Sequence, residues 1–153
     1  MILLGFIAGS SANEIFCERI DDDNFWSLTK YRRTCYMDDK VSIDNIDTTI
    51  GLRDDSILSL RFFDNKKIKY LPVGVNGKFP NLINYAAGYC SLTVVYKANF
   101  RGMNKLELLD LNVNKIERIF SNTFEDLISL QKLFLGELKL KKFQILFYLF
   151  FPY

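Results

Sequence analysis

The chain has 153 residues, a length that suits one domain, and its 49% apolar and 15% aromatic content favours a packed core over a disordered chain. The formal net charge is only +2, although the first 60 residues are acidic on balance and the remainder is basic. Histidine is absent, which excludes Ser-His-Asp and Cys-His nucleophilic sites and every zinc site that uses a histidine ligand.

The N-terminal segment reads MILLGFIAGSSANEIFC, with an apolar run from Ile2 to Ala8 followed by small residues. Ser10 and Ala12 are spaced like the −3 and −1 residues of a signal-peptidase site, so residues 1–12 are predicted to be a signal peptide. A buried first strand is the alternative, because the basic residues that usually open a secretory signal are missing. If the signal is cleaved, the mature chain starts near Asn13 and enters an oxidising compartment.

A fixed period of 24 residues runs through the second half of the chain. One copy consists of Phe100, Met103, Leu106, Leu109, Leu111, Asn114, Ile116 and Ile119. Seven of these eight positions are again apolar 24 residues later, and apolar residues recur 24 residues earlier, where Cys90 takes the place of Asn114. Such a period predicts a solenoid, in which each coil buries its apolar side only against its neighbours.

Two less regular copies lie upstream. In LRFFDNKKIKYLP, Asn65 and Ile68 stand three residues apart instead of two, which predicts a one-residue insertion. The earlier segment VSIDNIDTTI is interpreted as a degenerate first coil, with apolar positions at Val41, Ile43, Ile46 and Ile50.

The residue types of one copy fit a strand, a sharp turn and a return. Leu109 and Leu111 alternate on a short strand, so both point inward. The turn leaves backbone groups buried, and Asn114 supplies the donors and the acceptor that they need. Cys90 is small and donates weakly, so it can take the same position. Asn65, Cys90 and Asn114 are therefore predicted to form a structural ladder along the turns.

The spacing Leu-x-x-Leu-x-Leu-x-x-Asn-x-Ile of residues 106–116 resembles the leucine-rich repeat, whose pattern admits Asn or Cys at the polar position. The resemblance extends over about residues 58–143. It implies an α/β fold, a solenoid with a short parallel β-sheet on its concave face and an irregular or helical convex side. We expect about four coils over residues 51–143, a small β-rich N-terminal cap over residues 13–50 and an apolar C-terminal tail over residues 144–153.

Residues 13–50 are similar to the cysteine-bearing N-terminal cap of secreted leucine-rich repeat proteins, particularly the short insect ones. This resemblance implies a disulfide between Cys17 and Cys35, with Cys90 reduced and buried; pairing of Cys17 or Cys35 with Cys90 is the alternative. The tail FQILFYLFFPY either folds over the last coil or ends a shortened member of the family. Its apolar run, residues 143–151, is shorter than the roughly 20 residues of a membrane-spanning helix, so no span is predicted.

Sequence motifs that would indicate catalysis, metal binding or phosphate binding are weak in this chain. DDDNF and PVGVNGKF lack the spacing of calcium and phosphate loops, so neither a metal nor a cofactor is predicted. The acid pairs Asp38-Asp39 and Asp54-Asp55 are interpreted as solvated turns, with a carboxylate-based enzyme as the alternative. The scattered basic residues favour a solvated surface over a face for an anionic partner, and they lack the pattern of a nucleic-acid binding protein.

The resemblance implies a non-enzymatic secreted module that recognises a protein or a small extracellular ligand through its concave face; a cytosolic leucine-rich repeat scaffold is the alternative. Alternation along the strands predicts which side chains point outward. These are Ser59, Arg61, Phe63, Asn84, Ala86, Gly88, Leu108, Asp110, Asn112, Lys132, Phe134 and Gly136. The predicted binding residues are Arg61, Phe63, Asn84, Leu108, Asp110, Asn112, Lys132 and Phe134. Arg61 and Phe134 are the favoured hot spots, because arginine and aromatic residues are enriched among them.

Overall fold

A computed structural model describes residues 14–23, 32–37, 39–62 and 64–137. The predicted signal peptide, the apolar C-terminal tail and Phe63 of the predicted binding face lie outside these residues.

The repeat forms a parallel sheet, as the sequence predicts. Strands β5 (Ser59–Arg61), β6 (Asn84–Ala86), β7 (Leu108–Asp110) and β8 (Lys132–Phe134) are neighbours in that order. Leu60 faces Tyr85, Tyr85 faces Leu109, and Leu109 faces Leu133. The first of these steps is one residue longer than the other two, which confirms the predicted insertion in the coil that starts at β5.

The sheet begins earlier than the first regular repeat. Strand β3 (Arg32–Tyr36) pairs in parallel with β5, and Cys35 faces Leu60. A parallel bridge joins Ile43 to Ile68 on the other side of the coil. The degenerate first coil is therefore confirmed, and its strand lies within the residues predicted to form the N-terminal cap.

One core position of that first coil was predicted wrongly. Ile43 and Ile50 are buried and Val41 is half-buried, but Ile46 is 47% exposed. Ile46 lies in a turn in which the N–H of Asp47 donates to Oδ1 of Asn45 at 2.9 Å. This side-chain-capped turn is tight, and it directs the isoleucine away from the core.

The segment before the first coil adds two short strands, each of which pairs with a strand of that coil. Strand β2 (Arg19–Asp23) lies antiparallel to β3 at the end of the sheet. Strand β1 (Glu14–Ile15) pairs in parallel with β4 (Thr49–Ile50) as a separate two-stranded sheet. A disulfide joins Cys17, between β1 and β2, to Cys35, whereas Cys90 is free and buried.

The core lies between the sheet and the convex side. Each strand directs one side chain into the core, because alternate side chains of a strand share one face. These core residues are fully buried: Cys35, Leu60, Tyr85 and Leu109. Ile68, Leu92 and Ile116 close the core from the opposite side.

The convex side is mostly turns. It contains two helices of one turn, α1 (Val75–Lys78) and α2 (Lys97–Phe100). Asn99 Oδ1 accepts the N–H of Tyr96 at 2.7 Å, and 24 residues later Thr123 Oγ1 accepts the N–H of Phe120 at 3.1 Å. These paired side-chain caps repeat with the coil although the residue type changes. Within the described residues, no helix is long and apolar enough to cross a membrane.

Candidate interaction surface

The outward side chains of the sheet form two columns across the strands. Strand register places Thr34, Ser59, Asn84, Leu108 and Lys132 in the first column and Tyr36, Arg61, Ala86, Asp110 and Phe134 in the second. The residues grouped across coils by the 24-residue period are therefore neighbours in the structure.

The predicted binding residues differ in exposure. Lys132 and Phe134 are exposed, and Arg61 and Asn112 are half-buried. Asn84, Leu108 and Asp110 are buried, as are Ser59, Ala86 and Gly88, although they were predicted to lie on the outward side of the sheet. They lie on interior strands, where side chains of the next strands stand only about 4.8 Å away on both sides. The accessible part of the predicted face is thus the group Arg61, Asn112, Lys132 and Phe134.

Asp110 shows how a concave side chain becomes buried. Its carboxylate turns along the strand and accepts the N–H of Asn112 at 2.9 Å. The carboxylate also lies over Gly88, where an added Cβ would stand 3.1 Å from Oδ2. Burial raises the pKa of Asp110, and the hydrogen bond from Asn112 opposes that rise. Asn112, two residues further along, instead bonds across to the next coil, with its Oδ1 accepting the N–H of Gly136 at 2.7 Å.

Arg61 is held by its neighbour in the same column. Its guanidinium carbon lies 5.7 Å from the centre of the Tyr36 ring, a cation–π distance. Tyr36 belongs to β3, so the coil that the sequence signals only weakly supplies the aromatic support of a favoured binding residue. The 25-residue offset between Tyr36 and Arg61 is the sequence signal that could have paired them.

Asn114 satisfies the buried turn of its coil with its side chain. Its Nδ2 donates to the carbonyls of Ala87 and Leu111 at 2.8 and 2.9 Å, and its Oδ1 accepts the N–H of Leu92 at 3.0 Å. Asn65 bonds in the same way with the carbonyl of Val41.

Cys90 occupies the equivalent position between these two asparagines. Its Sγ donates to the carbonyl of Phe62 at 3.1 Å. Burial raises the pKa of the thiol to about 11, so it keeps the proton that it donates at neutral pH. The three predicted ladder residues therefore all reach a carbonyl of the preceding coil, and their role is structural.

A left-handed residue precedes each ladder position, a feature that the sequence did not reveal. Asp64, Tyr89, Val113 and Glu137 have φ between 52° and 61°. The N–H of Tyr89 donates to the carbonyl of Asn112, and that of Val113 donates to the carbonyl of Gly136, so these turns tie each coil to the next. Val113 carries the most strain, because a β-branched residue disfavours this region of backbone space.

The acid pairs do not form a shared site in the described part of the chain. The pKa of Asp54 is lowered, first by the hydrogen bond from the Ser56 hydroxyl, and Arg33 lies 3.8 Å from it. Asp55 pairs instead with Arg53 at 3.1 Å. Asp38 lies outside the described residues. Among the described residues, no group of three or more Cys, Asp or Glu side chains is placed to hold a metal ion.

Comparison with protein families finds one match. Residues 88–137 match the family described as Leucine rich repeat. No curated protein and no solved structure matches the chain. The matched residues contain β7 and β8 and the ladder residues Cys90 and Asn114, and the parallel coils continue upstream of them to β3.

Proposed function

We propose that this chain is a non-enzymatic interaction module that recognises a protein partner through the accessible part of its concave face. The observation that carries the proposal is the arrangement of Arg61, Lys132 and Phe134 on one side of a parallel sheet built by leucine-rich repeats. Arg61 is already ordered by Tyr36, so less side-chain entropy is lost when it binds. Its combination with an exposed aromatic residue is typical of protein-binding hot spots.

The chemistry of the described residues supports a binding role over catalysis. The lowered pKa of Asp54 keeps it ionised, whereas a general acid needs a raised pKa. Asp110 is buried against Gly88, and its carboxylate accepts a backbone N–H rather than facing another acid in a shared site. Among the described residues of the two outward columns, Arg61 and Lys132 are basic and the buried Asp110 is acidic, so the face carries little net charge. The cytosolic scaffold is not favoured.

The test compares two matched pairs of residues. A tetramer of the chain is screened against extracellular proteins, and each hit is measured by surface plasmon resonance. Arg61→Ala with Phe134→Ala is expected to weaken binding by about tenfold or more, as for hot-spot residues. Arg118→Ala with Ile128→Ala removes the same residue classes from exposed positions elsewhere and should leave binding unchanged. Equal effects of the two pairs, or no effect of the first, would reject the assigned face.

The proposed setting is extracellular. The Cys17–Cys35 disulfide supports it, since disulfides persist in oxidising compartments, and so does the signal-like segment at residues 1–12. Expression of the full chain in a eukaryotic secretory host tests it. We expect a secreted product that lacks residues 1–12 and that gains about two daltons on reduction, the mass of the two hydrogens added at one bridge. An uncleaved chain retained in the cell with three free thiols would contradict both parts.

Residues 13–50 are proposed to act as the N-terminal cap, as in the short secreted insect proteins that they resemble. Strand β2 supports this role, because it runs antiparallel along β3 and covers the edge of the parallel sheet. Solenoid ends need such covers, since each coil is otherwise protected only by its neighbours.

A further inference from the structure

Ser59 and Asn84 form a buried polar pair on the concave face. They face each other on neighbouring strands and are only 2% and 3% exposed. Within the described residues, neither side chain makes a hydrogen bond. Buried polar side chains are nearly always paired, so a pair of this kind points to a group that the isolated chain lacks.

Other buried asparagines of the fold use their side-chain amides in hydrogen bonds. Asn65, Asn99 and Asn114 all spend their amides on backbone groups of the neighbouring coil. Asn84 differs because the backbone of its strand already pairs with the strands on both sides, and its side chain lies outside that hydrogen-bond ladder. A primary amide carries two donors and one acceptor, and at Asn84 all of them are unused.

The pair remains reachable from solvent. Among the described residues, the hydroxyl of Tyr85 is the polar side-chain atom that is both fully enclosed and unpaired. The polar atoms of Ser59 and Asn84 are unpaired but not fully enclosed, so their tips open to the concave side although the residues are buried as a whole. Their unused donors and acceptors match a group that carries both an N–H and a C=O, such as the backbone amide of a peptide segment.

The surroundings of the pair indicate what that chain carries. Arg61 lies two residues after Ser59 on the same strand, with its guanidinium over Tyr36. Phe134 lies three strands away in the Arg61 column, at roughly 14 Å by the usual strand spacing. An extended peptide covers that distance with about four residues at 3.3 Å each.

We propose that the concave face binds a segment of its partner in extended conformation, with a backbone amide group of that segment paired to Asn84 and Ser59. An acidic side chain of the segment reaches Arg61, and an apolar one lies against Phe134. The inference rests on the proposed function, since it names the class of partner that the same face takes.

The test uses a phage-displayed library of random eight-residue peptides, panned on the full chain. A selected peptide is then measured by fluorescence anisotropy. Asn84→Leu is expected to weaken binding about tenfold, the loss of roughly one well-made hydrogen bond. The variant should fold, because Leu108 holds the same column position on the next strand. Asn104→Leu, at an exposed asparagine away from the concave strands, is the matched control and should bind like the parent.

A modified peptide isolates the backbone contact. Methylation of the peptide nitrogen that faces Asn84 should weaken binding to the parent chain about tenfold and have little further effect on Asn84→Leu. Arg61→Ala should remove the preference for an acidic residue.

The outcomes separate this inference from the proposed function. If no peptide is enriched, or if enriched peptides bind Asn84→Leu as well as the parent, the extended-segment inference is overturned. The proposed function still stands in that case if a folded partner loses binding with Arg61→Ala and Phe134→Ala. If neither peptides nor folded partners respond to those two substitutions, both conclusions fall.

Discussion

The two ends of the sheet are finished in different ways. At the first end, Cys35 occupies the core position of its strand with no exposure, is joined to Cys17, and has β2 beside it. At the last described strand, Leu133 holds the equivalent position but is only half-buried, and Ile128, shortly before that strand, is 80% exposed. A core position in a solenoid is therefore defined by its neighbours on both sides, and the sequence pattern alone does not say how deeply it is buried.

The largest expected effect is the loss in free energy of unfolding when a core leucine is shortened in an interior coil, compared with the same change in the last coil. Leu109→Ala creates a cavity between two strands and is expected to lower the free energy of unfolding by about 3 kcal/mol. Leu133→Ala removes the same atoms from a half-buried position and should cost about 1 kcal/mol. Urea unfolding of both variants measures the difference. Equal losses would show that the coil of β8 is as well covered as the coil of β7.

Removal of the Cys17–Cys35 disulfide tests how much this bond stabilises the β3 end of the sheet. Replacing Cys17 and Cys35 by alanine frees a loop with a sequence separation of 18 and should lower the free energy of unfolding by about 3 kcal/mol. The parent chain should lose a similar amount when a reductant is added before urea unfolding. The double variant serves as the control, because its unfolding midpoint should not respond to the reductant.

The turn that joins the coil of β7 to the coil of β8 can be stabilised. Val113 has a φ of 52°, and asparagine tolerates this region far better than a β-branched residue. Val113→Asn is expected to raise the free energy of unfolding by about 1 kcal/mol. Val94→Asn makes the same chemical change at a half-buried valine without a positive φ, and it should destabilise. A loss at both positions would show that side-chain burial outweighs backbone strain at Val113.

The smallest effect concerns Asp110, beside the last strand, and it depends on pH. Because burial raises its folded pKa above the unfolded value, the folded state holds the proton more tightly. The free energy of unfolding should therefore fall as pH rises from the ordinary carboxyl range through the folded pKa. Asp110→Asn should be more stable than the parent at neutral pH, and this advantage should shrink in acid. Asp55→Asn, at an exposed ion pair, should show no such gain in the same pH series of urea unfolding curves.

The period made most of the sheet predictable. Leucines and their substitutes at 24-residue steps predicted the register from Tyr85 to Leu133, and one 25-residue step extended it back to Leu60. The polar exception located the turn ladder. Cys35 and Met37 take leucine positions in the first coil, and their 25-residue offset from Leu60 and Phe62 is visible only once the insertion is recognised.

The exposure of side chains on the predicted binding face was harder to predict, for physical reasons. Alternation tells in which direction Asn84 and Asp110 point, but their burial depends on the side chains of adjacent strands. The left-handed turns were hidden because Tyr89 and Val113 are not residues that signal such a backbone.

The thiol of Cys90 can be used to measure local opening of the solenoid. The other two cysteines share a disulfide, and the thiol of Cys90 is buried in the middle of the sheet with a pKa raised to about 11. A thiol reagent can reach it only when the coil that starts at β6 separates from the coil that starts at β5, where the carbonyl of Phe62 accepts the hydrogen bond from the thiol. The labelling rate of the unmodified protein therefore measures how often the solenoid opens at its centre, and a partner seated across the strands would slow it.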